Sequence, residues 1–188
     1  MQRPAVRLDV CEFANATTEE TDAWRRLQAR VYPPDQERIG ADLQWAKREP
    51  TDYFIRLWAE GDLRACAWLT RRAIAVGGRE NLVAGVRGVM TDPAYRRLGL
   101  GRTVMERTHE LMRSLADCDF GLLFSSVMAV PFYESLGWLA VDGPVVCDQP
   151  GGRINYTERL PMAPVMVRMK DPQIPPPSGA IDVMGPPW

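Results

Sequence analysis

Arg96-Arg97-Leu98-Gly99-Leu100-Gly101 joins an apolar, strand-like run to an amphipathic, helix-like one. Glycines let the backbone turn tightly and approach a ligand closely, and the amides that open a helix point outward with the positive end of its dipole. The chemistry such a loop suits is anion binding, and it is a candidate pyrophosphate cradle. Arg96 and Arg102 fit that reading, because two cations at a helix start oppose the dipole unless an anion compensates them. A plain strand-to-helix turn with solvated arginines would carry the same letters, so the flanking elements decide between the two.

The elements that must position this loop are legible in outline. Residues 5–12 read as a first strand, and Thr17-Thr18-Glu19-Glu20 marks the start of a helix that ends before Pro33-Pro34. A second helix is expected over about 40–47, stopped by Pro50. Residues 53–60, 63–76 and 82–91 read as strands joined at Gly61-Asp62 and Gly77-Gly78, a three-strand antiparallel meander. Gly88 within the last of these suggests a bulge or a close backbone approach. From 99 to about 116, Leu100, Val104, Leu111, Met112 and Leu115 share a helical face that should pack on the sheet. Residues 120–125 read as a central strand and 129–136 as a short helix closed by Gly137. Strands are expected over 138–141 and 164–169. Beyond Lys170 the prolines multiply, and the last eighteen residues read as an extended tail without regular structure.

Composition bounds the class. A chain of 188 residues with 46% hydrophobic content predicts one compact domain. With 23 Lys plus Arg against 24 Asp plus Glu, no basic field exists to hold nucleic acid or an acidic membrane. No apolar run reaches about 18 residues and the N-terminus lacks a signal-peptide core, which predicts a cytoplasmic protein. Cys11, Cys66, Cys118 and Cys147 form no Cys-x-x-Cys pair, and His109 is the only imidazole. Reduced, buried thiols and no metal site are expected.

Arg96-x-x-Gly99-x-Gly101, preceded by Gly88-Val89-Met90-Thr91-Asp92-Pro93-Ala94-Tyr95, resembles the acetyl-CoA signature of the GNAT acyltransferase superfamily. Ser125-Ser126 followed by Pro131-Phe132-Tyr133-Glu134-Ser135-Leu136-Gly137-Trp138 resembles that family's second motif. Two motifs in order, about thirty residues apart, carry far more weight than one. The resemblance covers roughly residues 5–170, leaving 171–188 as a Pro-rich tail packed near the acceptor site. It implies a mixed α/β fold with a mostly antiparallel, twisted sheet flanked by helices. It also implies acetyl-CoA as acyl donor, held by Val89, Met90, Thr91, Arg96, Arg97, Leu98, Gly99, Leu100, Gly101, Arg102 and Thr103. A main-chain amide near Val89 or Met90 would polarise the thioester. Tyr133 would protonate the leaving CoA thiolate, or else simply anchor its helix. No cysteine sits in a recognisable nucleophile setting, so direct attack by the amine in a ternary complex is expected. Its base is left open between a water relay to Glu134 and the tail carboxylate. A homodimer is compatible with the family.

Within the superfamily the chain looks most like aminoglycoside 2'-N-acetyltransferases, through Val31-Tyr32-Pro33-Pro34-Asp35, Ser125-Ser126, Tyr133 and the terminal Trp188. This implies a small-molecule amine acceptor bound by Asp35, Ser125, Ser126 and the Trp188 carboxylate, with Asp182 as a further acid. Asp35 could equally cap a turn, and a proline-rich end is often disordered. The family's glutamate before the strand glycine is replaced by Arg87, which donates only and can bind a substrate carboxylate or pair with a nearby acid. Kasugamycin is an aminoglycoside with such a carboxylate, and a resemblance to its 2'-N-acetyltransferase makes it the favoured acceptor. The alternatives are a nodulation-type N-acyltransferase of an amino sugar and a non-catalytic acyl-CoA sensor.

Overall fold

The computed structural model of the chain describes residues 5–33, 51–118, 120–149, 151–159, 162–168, 173 and 175–186. Where length and composition predict one compact unit, packing divides the chain into two. The first is built on residues 5–33, 51–69 and 87–110, and the second on described parts of 70–86 and 111–186. The fold is mixed α/β, a mostly antiparallel sheet with flanking helices.

In the first unit, strand β1 (Val6–Glu12) pairs antiparallel with β2 (Tyr53–Ala59), in register from Val6 opposite Ala59 to Glu12 opposite Tyr53. β2 in turn pairs with the first half of β3 (Asp62–Val76) across the Glu60-Gly61 turn, where both residues have positive φ. Helix α1 (Thr18–Val31) starts on a capping box: the Glu20 amide donates to Thr17 Oγ1 at 3.3 Å and the Thr17 amide donates to Glu20 Oε2 at 2.9 Å. Its buried Ala23 and Leu27, one turn apart, pack with Phe54, Leu63, Cys66, Trp68 and Met90. Arg56, only 6% exposed in the middle of β2, is held by an ion pair to Asp9 at 2.6 Å and another to Glu20.

The second unit carries the rest of the sheet. Its strands, with the parts of β4 and β3 that belong to it (79–86 and 70–76), run in the order β6 (Leu139–Ala140), β9 (Met162–Arg168), β5 (Phe120–Ser126), β4 (Arg79–Thr91), β3, β10 (Ile181–Asp182), β7 (Val145–Gln149) and β8 (Gly152–Asn155). β3 and β4 meet at Gly77-Gly78, whose φ values of 56° and 78° suit the tight hairpin turn expected there. Ile74, Val76, Phe120, Leu122, Val145, Met166, Ile181 and Val183 form its core.

Several expectations shift at their boundaries. Helix α2 spans Leu100–Ser114, the short helix α3 is Val130–Glu134, the strand expected over 164–169 runs Met162–Arg168, and β4 begins at Arg79. β7, β8 and the one-turn helix α4 (Tyr156–Arg159) lie where no element was expected. The largest correction concerns the tail. Ile181–Asp182 is a strand laid antiparallel on β3 and parallel on β7, so the end of the chain is not without regular structure. The physical reason is main-chain pairing: the Ile181 and Val183 amides donate to Pro144 and Val146 oxygens at 2.9 Å, and the Gly77 amide donates to Ala180 oxygen at 2.9 Å. A Cβ on Gly77 would lie 2.8 Å from Ser178 oxygen, so the close approach of the tail also needs glycine there. The helix expected over 40–47 lies outside the described residues.

Candidate active site

The predicted site residues fall into two groups, one in each unit. In the first unit, Gly88 takes φ 56° and breaks the extended run of β4, while its carbonyl accepts from Cys66 Sγ at 3.6 Å. Met90 is buried, with Val89 and Thr91 half-buried on either side of it. Asp92 then caps a short 3-10 turn over Pro93–Tyr95, its Oδ1 accepting from the Ala94 amide at 3.0 Å. Arg96 is extended, Arg97 and Gly99 have φ of 64° and 83°, and α2 begins at Leu100. Extended Arg96 and left-handed Arg97 and Gly99 lead the chain from the 3-10 turn into α2 within four positions. The first amides of a helix have no acceptor within it, so those opening α2 face outward with its positive dipole end. Arg96, Arg97, Gly99 and Arg102 are exposed, Leu98, Gly101 and Thr103 half-buried, and Leu100 is buried as the anchor of the helix. Thr103 closes the first turn, its amide and hydroxyl donating to Gly99 oxygen at 3.0 and 3.2 Å.

Arg87, also in this unit, lies half-buried with its guanidinium 4.9 Å from the Trp68 ring centre and donates to Thr51 Oγ1. Trp68 is packed among Phe13, Trp24 and Phe54, at centroid distances of 5.2, 4.7 and 5.6 Å. Neither Thr51 nor this aromatic group is singled out by the sequence, because their members lie far apart along the chain.

In the second unit, Ser125 is buried at the end of β5 and donates to Ser126 oxygen at 3.1 Å. Ser126 leads into the turn before α3. Tyr133, 7% exposed, stands on α3 edge-on to Phe132 and Trp138, with centroids 5.1 and 6.2 Å away. The amides of Leu136 and Trp138 both donate to its carbonyl, at 2.9 and 3.1 Å, which fixes the helix end. Glu134 is exposed. The structure thus brings Ser125, Ser126, Tyr133 and Glu134 together on consecutive elements. Asp182 is placed elsewhere, on β10, paired with Arg153 and accepting from the Met184 amide at 2.9 Å. The Arg153 hydrogen bond holds its carboxyl below the ordinary range. Asp35 and Trp188 lie outside the described residues.

Among the described residues no group of three or more His, Cys, Asp and Glu is arranged to hold a metal ion, and no helix is long and apolar enough to cross a membrane. Cys66, Cys118 and Cys147 are buried thiols, and burial pushes that of Cys66 far up.

A sheet of this topology, with a strand, a glycine loop and a helix in succession, defines an acyltransferase-like class of fold. The Acetyltransferase (GNAT) domain family matches residues 12–141, well over half of the chain, and the chain belongs to that family. It is similar to the glucosamine 6-phosphate N-acetyltransferase of Trypanosoma brucei brucei, with 41% identity over 64 residues. That match spans 34% of this chain and 42% of the relative's length. An acyl-CoA N-acyltransferase from Pseudomonas aeruginosa shares the fold with a TM-score of 0.59 at 22% identity, over 86% of this chain and 99% of that one. The GNAT family N-acetyltransferase YhbS from Escherichia coli, solved in complex with CoA, does so with a TM-score of 0.57 at 13% identity, over 97% and 93%.

Proposed function

We propose that the protein transfers an acetyl group from acetyl-CoA to the amine of an anion-bearing amino sugar. The observation that carries this is the loop after β4, where left-handed Arg97 and Gly99 lead into the start of α2 beneath exposed Arg96 and Arg102. A pyrophosphate compensates those cations and takes the outward amides. The donor thioester then lies along β4, where an amide near Val89 or Met90 stabilises charge on the carbonyl oxygen as the neutral amine attacks. Collapse of the tetrahedral adduct breaks the carbon–sulfur bond, and Tyr133 gives its proton to the departing thiolate. The proton of the attacking amine leaves through water to Glu134, which is exposed and free to exchange with solvent.

For the acceptor, Arg87 is the guide. A guanidinium held over Trp68, 4.9 Å from its ring centre, is preorganised to fork onto a carboxylate or phosphate. We favour the 2'-amine of an aminoglycoside, kasugamycin above all, whose carboxylate would meet Arg87, with Ser125, Ser126 and Asp35 meeting hydroxyl and amino groups. Glucosamine 6-phosphate is the second reading, favoured by the trypanosome relative, which is named for an amino sugar with an anionic group. Thiol release from acetyl-CoA should be followed with kasugamycin, gentamicin and glucosamine 6-phosphate in parallel. Turnover of kasugamycin, lost in Arg87→Ala, is expected. Efficient gentamicin turnover with none on the two anionic sugars would sink the anion reading, and no thiol release with any of the amines would favour a binding module.

A further inference from the structure

The first unit holds a buried carboxylate with half-buried guanidinium partners that the transfer chemistry does not use. Asp92, 2% exposed, is where the chain leaves β4 for the donor loop. Its Oδ2 lies 2.9 Å from Arg30 Nε, as an ion pair rather than an aligned hydrogen bond, and 3.0 Å from Arg64 Nη1. Its amide donates to Arg64 oxygen at 2.8 Å. Arg30 comes from the last turn of α1, pairs with Asp62 at 3.1 Å and donates to Leu63 oxygen at 3.0 Å. Arg64 lies 4.5 Å from the Tyr95 ring centre, and the Tyr95 hydroxyl donates to Glu60.

The contacts of Asp92 and Tyr95 tie residues 92–95 to α1, to the start of β3 and to the β2–β3 turn, and those of Arg30 tie α1 to β3. Of residues 93–99, all described, none is buried, and the loop is held at its start by Asp92 and Tyr95 and at its end by buried Leu100. For stability alone such a network is a poor choice, since well-packed apolar residues of similar volume serve as well or better than a desolvated ion pair. What it provides is direction. Two guanidinium groups and one amide fix both carboxylate oxygens of Asp92, and with them the starting point and heading of the loop.

We propose that Asp92, clamped by Arg30 and Arg64, is the positioning residue that aims the amides of residues 97–102 at the CoA pyrophosphate. This rests on the donor reading above. An anion site made of main-chain amides depends on alignment, and a misplacement of about 1 Å can cost up to a hundredfold.

The test compares CoA with pantetheine, which lacks the pyrophosphate and nucleotide, by calorimetric titration of the wild type, Asp92→Asn and Arg30→Gln. The wild type should bind CoA the more tightly. Both variants should weaken CoA about tenfold while leaving pantetheine unchanged, so the ratio of the two constants falls. A purely structural role would lower the folded fraction and the melting temperature but leave that ratio intact. Arg30→Gln, at a half-buried position with Arg64 still in place, serves if Asp92→Asn does not fold. Variants that keep the wild-type ratio overturn the positioning role alone. A wild type that binds CoA no better than pantetheine overturns the donor loop and this role together.

Discussion

The two compact units solve the problem of internal order differently. In the first, charges are buried: Arg56 is clasped by Asp9 and Glu20, and Asp92 by Arg30 and Arg64, at the places where strands meet helix or loop. In the second, the core is aliphatic and aromatic, and the polar work is done mainly by main-chain ladders that take in even the last strand, with Arg72 donating to Pro186 oxygen at 2.6 Å. Charge pairs are directional and expensive to desolvate, so they define position; apolar burial is not directional and supplies most of the free energy. The unit that carries the donor loop uses the first device, and the unit that carries Tyr133 uses the second.

That contrast can be broken most severely in the second unit. A chain ending at Gly179 loses Ile181 and Val183 from the core and opens β3 and β7 between which β10 lies. At about 1.5–3 kcal/mol for each fully buried aliphatic side chain, most of the unit's stability should go. Circular dichroism should show a broad melt, and a truncated chain melting like the full one would refute the role of the tail.

In the first unit, Arg56→Met fills the space but leaves Glu20 without its guanidinium and Asp9 with the exposed Arg7 at 3.3 Å. Because both acids keep some contact with water, the cost should be about 2–3 kcal/mol, below the range for a fully buried pair. Urea unfolding measures it, and a neutral result would mean that packing, not charge, holds β2. Next in size is Gly121→Ala. A Cβ there would run into Met112 Cε and come within 3.1 Å of Trp138 and 3.3 Å of Val167. The methionine end can swing aside, but the indole cannot, so about 1–2 kcal/mol should be lost. A more stable alanine variant would show slack in the core.

The smallest effect is on the alkaline side. Burial pushes the Cys147 thiol up to about 11 and the Tyr156 phenol up to about 12, from 9.0 and 10.0. Both stay protonated when folded while the unfolded chain ionises at lower pH. Their contribution is therefore complete below pH 9 and is lost as pH climbs towards the folded values. Urea midpoints between pH 8 and 10.5 should fall, and Cys147→Ala should flatten part of the slope. An unchanged slope in that variant would assign the decline to other groups.

The parts legible in the sequence are those with local causes. The capping box at Thr17 and Glu20, the Gly77-Gly78 turn and the glycine loop are written in neighbouring residues, and each lies where its letters place it. What was not legible depends on distant partners. β10 is two residues long and exists only because β3 and β7 offer edges to it. β7 and β8 are short and crowded by Gly143, Pro144 and Gly151-Gly152, where alternation has no room to show. Arg56 and Asp92 carry charge within or beside apolar runs, and their main partners lie 47 and 28 positions away, so composition reads them as solvated. Arg87 could be identified as a departure from the family, but its seat on Trp68 and Thr51 could not.

The insertion of β10 between β3 and β7 also sets a timetable. A ribosome releases the N-terminal elements first, and domains generally begin to fold as they emerge. Here β3 and β7 are both made long before the strand that joins them, and they must wait with open edges until residue 183 is free. The second unit is thus closed only after residue 183 emerges, and a stall between β7 and β10 would leave a sheet with two sticky margins for chaperones to guard.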